Sequence, residues 1–285
     1  MGKLIGPEHI CKNCETEFIG HFCPNCSQSV RDFDRPFKVL VFDVLGNMWA
    51  FDARFFNTIK SLLFKPGRIA VDYVAGKRER YMPPFRLYFF ISIIFFMLLN
   101  VATTRSLKDG IKIKASISMG DEKESKVVAA KSDELQVSSK EEKLMSDINQ
   151  NKSGYTTRFL SLLSWSLFIL MPLYAVLLWV LFRKKQKYYM AHFIFSINQH
   201  SFLFILFLIL VSCYLIFPEK TISPESWLLI LYPLYVIKGS KTLYQKSWIS
   251  TILRVTFAHF IYFLTVLVAI VIIFYLTFEK ALINL

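Results

Sequence analysis

Residues 84–100 read "PFRLYFFISIIFFMLLN", a run in which Arg86 is the only charge. About 20 apolar residues at 1.5 Å per residue match the hydrocarbon thickness of a bilayer, so this stretch reads as a membrane-spanning helix over 85–104. The same criterion picks out 159–182, 192–217 and 251–278. A shorter stretch, 226–238, is flanked by Pro224 and Glu225 and interrupted by Pro233. It is read as a fourth span of five, with a re-entrant or steeply kinked element as the alternative. The expected fold is an all-α multi-pass membrane bundle of about five transmembrane helices, preceded by a small N-terminal four-cysteine, zinc-ribbon-like knuckle.

Composition agrees. Hydrophobic residues make up 54% of the chain and Phe supplies 28 of 285 residues. They come in blocks, as lipid-facing helices require. The net charge of +13 has meaning through its distribution, and no nucleic-acid-binding motif accompanies it, so no nucleic acid partner is expected.

The N-terminus lacks the apolar core and small-residue site of a cleavable signal, so the first cysteines are expected in the cytosol, where thiols stay reduced. They read "CKNCETEFIGHFCPNC" over 11–26. Two CxxC knuckles, Cys11/Cys14 and Cys23/Cys26, can converge tetrahedrally on one ion, with Gly20 placed for a hairpin turn. A fragment this small cannot bury enough apolar surface to fold alone, so the metal would supply the folding energy. One structural zinc is the expected cofactor. A dithiol redox pair explains one CxxC but not two, and an iron site has compatible spacing. Four sulfurs leave no open coordination position, so no catalysis is expected there, and His21 is not needed as a ligand. Cys213, inside an apolar run, reads as packing.

Residues 31–84 read as amphipathic helices at the membrane surface. Asp52 is a candidate N-cap, Phe55, Phe56, Ile59, Leu62 and Leu63 recur at helical spacing, Pro66-Gly67 breaks the run, and Gly76 ends a second short helix. Arg68, Lys77, Arg78 and Arg80 are candidate contacts for anionic lipid headgroups; packing of these helices on the bundle is the alternative. "PFKVLVFDVLGNMW" (36–49) is too short and mixed to span. Residues 105–158 form a polar insert with nearly balanced charge, expected to be disordered or weakly structured. Lys and Arg near the span ends cluster in "GKRER", "RKKQK" and "KGSKTLYQK", all on one side of a five-span arrangement. That puts the N-terminal head in the cytosol and the insert outside.

The stretch "FFNTIKSLLFKPGRIAVDYVAGKRERYMPPFRLYFFISIIFF" after a four-cysteine knuckle resembles the bacterial family called domain of unknown function 3667. Pro66, Gly67, Tyr73, Gly76, Lys77, Arg78, Tyr81, Pro84, Leu87 and Tyr88 carry the resemblance. It extends more loosely to "HFIFSINQHSFLF" and "YPLYVIKGSKTLYQKSW". It implies a multi-pass protein of the bacterial cytoplasmic membrane with a cytosolic zinc-ribbon-like head, and no established activity. In the third span the family pattern is E-H-x5-H-x-H; this chain has His192 and His200, with Ala191 and Asn198 at the other two positions.

Polar groups inside a bilayer normally face other helices, water or a ligand. His192, Asn198, Gln199 and His200 in the third span, with Arg254 and His259 in the last, are therefore candidates to line a pocket in the cytosolic leaflet. Interhelical hydrogen bonding and snorkelling form the alternative reading. HExxH, GxSxG and phosphate-cradling glycine loops are absent from the sequence, as is any internal repeat. Three functions are compatible: an interaction or regulatory protein working through the zinc head and a cytosolic protein partner, a transporter or lipid-handling protein using the polar pocket, and a headgroup-directed enzyme with a histidine as acid or base.

Overall fold

The computed structural model describes residues 8–30, 54–120, 151–217 and 224–283, for 107–120, 224–226 and 280–283 by backbone alone. Asp52, the 36–49 stretch and most of the insert lie outside the described residues. The head contains β1 (Glu8–Ile10) and β2 (Glu17–Ile19), paired antiparallel with His9 opposite Phe18. The body contains α1 (Arg54–Phe64), α2 (Arg68–Val74), α3 (Pro84–Gly120), α4 (Lys152–Phe182), α5 (Tyr189–Ile216), a 3-10 helix (Pro224–Ile230), α6 (Leu231–Tyr244) and α7 (Trp248–Ile283).

Among the described residues, four helices are long and apolar enough to cross a membrane: Pro84–Ser106 within α3, α4, α5 and Trp248–Glu279 within α7. The 226–238 segment is not one continuous helix of spanning length. Pro224 and Pro233 lack the N–H that a continuous ladder needs, and the segment is divided into a 3-10 turn and the 14-residue α6. It still brings the chain back. Phe202 of α5 stacks on Tyr235 at 3.9 Å, and further along His192 Nδ1 lies 2.9 Å from the Tyr244 hydroxyl, so α6 runs antiparallel to α5. The 3-10 turn and α6 together reach about 35 Å. α7 consequently starts at the end where α5 starts.

The other ring contacts set the remaining directions. α3 and α5 run side by side in the same sense, from Phe85–Phe193 (5.1 Å) through the stacked pair Phe95–Phe204 (5.0 Å) to Arg105, whose Nη1 donates to the Leu215 carbonyl. α4 and α7 are antiparallel, from Tyr155 stacked on Phe278 at one end to Arg254 bonded to the Leu181 carbonyl at the other. Where α4 contains Pro172, α5 reaches across: Ser196 Oγ donates to the Met171 carbonyl and Tyr189 Oη to that of Pro172.

Two expectations change. The insert does not begin at 105, because α3 continues past its apolar part to Gly120, and "IKIKASI" is helical rather than β-like. Once a turn is formed, each added residue gains one hydrogen bond for one ordered unit, so the helix propagates through polar residues. α1 and α2 are also more than surface elements: Leu62, Ile69 and Ala70 are buried within the cluster formed by α3, α4 and α5. Phe56 and Phe64 remain exposed on α1.

A collar of hydrogen bonds joins these short helices to residues 79–82, the segment that leads into α3. Buried Asp72 receives the Tyr81 hydroxyl at 2.7 Å and pairs with Arg68 Nε at 3.0 Å. Thr58 Oγ1 accepts the Met82 N–H at 2.8 Å, Asn57 donates to the Arg80 carbonyl, and Arg54 pairs with Glu79. Burial and the bond to Asp72 raise the Tyr81 phenol above its ordinary range.

Candidate functional site

The head is built from two copies of one turn. In the first, Glu15 N–H donates to the Cys11 carbonyl and Cys11 N–H to that of Thr16; in the second, Ser27 N–H donates to Cys23 and Cys23 N–H to Gln28. Glu15 (φ 63°) and Ser27 (φ 61°) take the left-handed conformation at equivalent places. The first knuckle is itself the turn between β1 and β2. Gly20 (φ 122°) instead joins the two knuckles, which corrects the expected placement of the hairpin turn. A bridge between Phe22 and Ser29 closes the second.

This folding brings the four sulfurs together, all within 4.8 Å of one another. Cys11–Cys26 and Cys14–Cys23 are 3.5 Å apart and Cys14–Cys26 3.6 Å. A disulfide needs about 2.05 Å, whereas sulfurs at the corners of a tetrahedron with 2.3 Å metal bonds lie about 3.8 Å apart. The four cysteines therefore have the donor set and spacing to hold one metal ion. The Thr16 hydroxyl, 3.2 Å from Cys14 Sγ, and the Thr16 backbone N–H stabilise the Cys14 thiolate and bring its pKa down to about 6. Burial acts the other way on Cys26 and raises it. The set thus holds one ready thiolate. Bound metal would deprotonate the rest.

The head is tied to the body. Buried Gln28, in the second knuckle, donates from Nε2 to the Gly76 carbonyl at 2.8 Å. Gly76 (φ 87°) closes α2, and its N–H returns to the Tyr73 carbonyl. The bond therefore links the cysteine turn to the basic segment that follows. Of the four candidate lipid contacts in that region, Arg68 is paired with Asp72, Arg78 lies over the Tyr73 ring at 5.1 Å, Lys77 is half-buried and Arg80 is exposed.

The polar residues of the spans do not form one group. His192, Asn198, Gln199 and His200 are all buried. His192 and His200 are about 12 Å apart along α5. His192 donates from Nε2 to the Gln186 carbonyl (3.0 Å) and accepts from the Tyr244 hydroxyl (2.9 Å). His200 donates from Nδ1 to the Ser196 carbonyl (2.8 Å) and accepts from Tyr262 (2.8 Å). His259 donates to Val255 (2.9 Å), with the Tyr174 hydroxyl 3.4 Å from its Nε2 and that of Tyr232 at 3.5 Å. The rule is the same three times: main chain takes the ring N–H, and tyrosine approaches the other nitrogen.

His200 and His259 do come together, both edge-on to Tyr174 at 5.9 and 5.2 Å. His192 forms a separate station with Tyr244 and Phe182. The amide of Gln199 and Oδ1 of Asn198 have no partner of normal geometry among the described residues. Arg254 belongs to neither cluster and lies at the end of α4, its Nη1 2.6 Å from the Leu181 carbonyl. Tyr174, Tyr232, Tyr244 and Tyr262 are the residues that sequence reasoning missed. A usable signal existed, since a tyrosine in an apolar span carries a hydroxyl that must find a partner.

No curated protein and no solved structure matches this chain. Residues 52–96, which span α1, α2 and the first turns of α3, match the model of the family described as Protein of unknown function (DUF3667), the family that the motif in this stretch resembles.

Proposed function

We propose that this is a multi-pass protein of the bacterial cytoplasmic membrane that presents a structural zinc head to a protein partner in the cytosol. The observation that carries the reading is the bond from Gln28 to the Gly76 carbonyl. It fixes the metal turn to the end of α2, just before the basic segment that leads to the collar. Four thiolates in a closed tetrahedral set favour zinc and leave no position for substrate.

The head also keeps an apolar surface unfilled. Ile10, Ile19 and Phe22 are exposed on a module whose own small core is Cys11, Phe18 and Cys23. Exposed apolar groups on so small a unit suit a docking face. The bundle end that carries α2, the 183–187 turn and the α6–α7 turn is rich in Lys and Arg, which supports a cytosolic placement of the head and contact of the collar with anionic headgroups. A transporter or enzyme would draw on the polar core, but its histidines are bonded to main chain and tyrosines, which favours a role in joining helices.

The test is a photo-crosslinking residue at Phe22 in membranes from expressing cells. One discrete protein adduct, lost when Cys11 and Cys23 are replaced by Ser, is expected. Adducts only to lipid or to this chain's own collar would overturn the reading.

A further inference from the structure

At the basic end of the bundle, α4 and α7 leave an open groove of about 600 Å³ lined by Leu181, Ser247, Ile249, Ser250, Leu253, Arg254 and Phe257. Arg254 is its only charge. The guanidinium is held in place with its charge only partly offset: Nη1 donates to the Leu181 carbonyl in the last turn of α4, the negative end of that helix, Nε donates to Ser250 Oγ at 3.2 Å, and the Phe182 ring lies 6.0 Å away. It has no carboxylate partner among the described residues. Among the described residues of the helical body, the acids at this end are Asp72 and Glu79, engaged by Arg68 and Tyr81 and by Arg54. Glu279 sits about 38 Å further along α7.

An arginine fixed in position, with no carboxylate partner and only a helix end to offset its charge, is placed to take an anion from outside the chain. The groove says what else that anion carries. Arg183, Lys184 and Lys185, in the turn after Leu181, are exposed and strengthen the positive field. Along α7, Ile249 and Leu253 lie before or level with the arginine and Phe257 and Phe260 beyond it towards the middle of the span, all four exposed. This is the barest of the four long helices, 11% of its most apolar stretch being buried against 33% in each of the others. A charged head against Arg254 would therefore continue into chains lying on α7.

We infer that this groove binds one anionic phospholipid of the cytosolic leaflet, its phosphate on Arg254 and the Ser247 and Ser250 hydroxyls, its acyl chains along Leu253 and Phe257. The site is separate from the zinc head and stands whether or not the head recruits a partner.

The full-length protein, reconstituted into nanodiscs of phosphatidylglycerol or of phosphatidylcholine, supplies the test. Native mass spectrometry after release should show one retained phosphatidylglycerol per chain, and the anionic lipid should raise Tm relative to the zwitterionic one. Arg254→Gln should lower retention about five- to tenfold, as loss of one headgroup-facing cation implies. Because that change also removes the bond to Leu181, Ser247→Asp is the second variant. It leaves the arginine's anchors intact and should repel the lipid equally. Equal retention in the parent and both variants would overturn the proposal. So would protection by millimolar inorganic phosphate alone, or a dimer that fills the groove with a second copy.

Discussion

Gly67 and Gly239 meet backbone to backbone. A Cβ on Gly67 would fall 3.0 Å from Gly239 Cα and closer still to its carbonyl, and a Cβ on Gly239 would fall 2.7 Å from the Phe195 ring. The start of α2 and the middle of α6 thus meet with no side chain between them, and α6 lies directly on the Phe195 ring of α5. Gly67 also has φ 78°, a conformation that costs an L-residue about 1–2 kcal/mol. Gly67→Ala should destabilise the body by about 3 kcal/mol or more, strain and overpacking adding. Gly76→Ala, with a similar φ, should cost about 1–2 kcal/mol. Thermal unfolding in detergent checks the order. Equal effects would mean that the α2–α6 approach is not tight.

The phenol of Tyr81 donates to buried Asp72. Tyr81→Phe should cost about 1–3 kcal/mol, because the carboxylate loses a partner it cannot replace with water. The pH dependence has a definite sign. A phenol whose folded pKa is raised keeps its proton longer when folded, so above pH 10 the unfolded chain binds fewer protons and stability falls. The contribution is complete below pH 10 and declines as pH rises through the folded value. Unfolding midpoints between pH 8 and 11 should fall more steeply in the parent than in Tyr81→Phe.

In the head, Glu15 and Ser27 hold left-handed conformations that glycine adopts without penalty. Ser27→Gly should therefore stabilise the metal-loaded turn by about 1 kcal/mol and slow loss of the metal to a chelator. Cys23→Ser should release the metal and free Gly76 from Gln28 while the spans stay inserted. Elemental analysis and amide exchange at Gly76 and Lys77 measure both. Purified reduced protein without about one metal per chain would contradict the four-sulfur site.

His200 and Tyr262 bond at 2.8 Å across α5 and α7, whereas His192 bonds to Tyr244 at a different level. A double-mutant cycle of His200→Leu with Tyr262→Phe should give a coupling of about 0.6 kcal/mol or more, up to about 1.7, the mean and the maximum for interhelical bonds in membranes. His192→Leu with Tyr262→Phe should be additive within about 0.3–0.5 kcal/mol. Coupling of both pairs would show that the two stations form one network.

Ser153 and Lys184 are exposed at opposite ends of α4. In a background without native cysteines, Ser153→Cys should react with an impermeant maleimide in intact cells, and Lys184→Cys only after permeabilisation. The reverse pattern would invert the protein and place the head outside.

Residue order alone makes legible the features that local chemistry sets. The apolar runs of α3, α4, α5 and α7 are legible because a bilayer admits only segments of sufficient length and hydrophobicity. The Cys11/Cys14 and Cys23/Cys26 spacing is legible because four sulfurs on two short turns have one way to close. The stops at Gly67 and Gly76 follow from backbone conformation. Tertiary structure decided the rest. Whether 224–244 returns the chain depends on Tyr235 meeting Phe202 and Tyr244 meeting His192, pairs formed between residues far apart in sequence. Periodicity placed His192 and Gln199 on one face, but the position of Tyr174 between His200 and His259 is set by how α4 packs between α5 and α7. The same packing leaves Arg254 at an open groove. A sequence records which side chains need partners, and only the approach of the helices decides which partner each one finds.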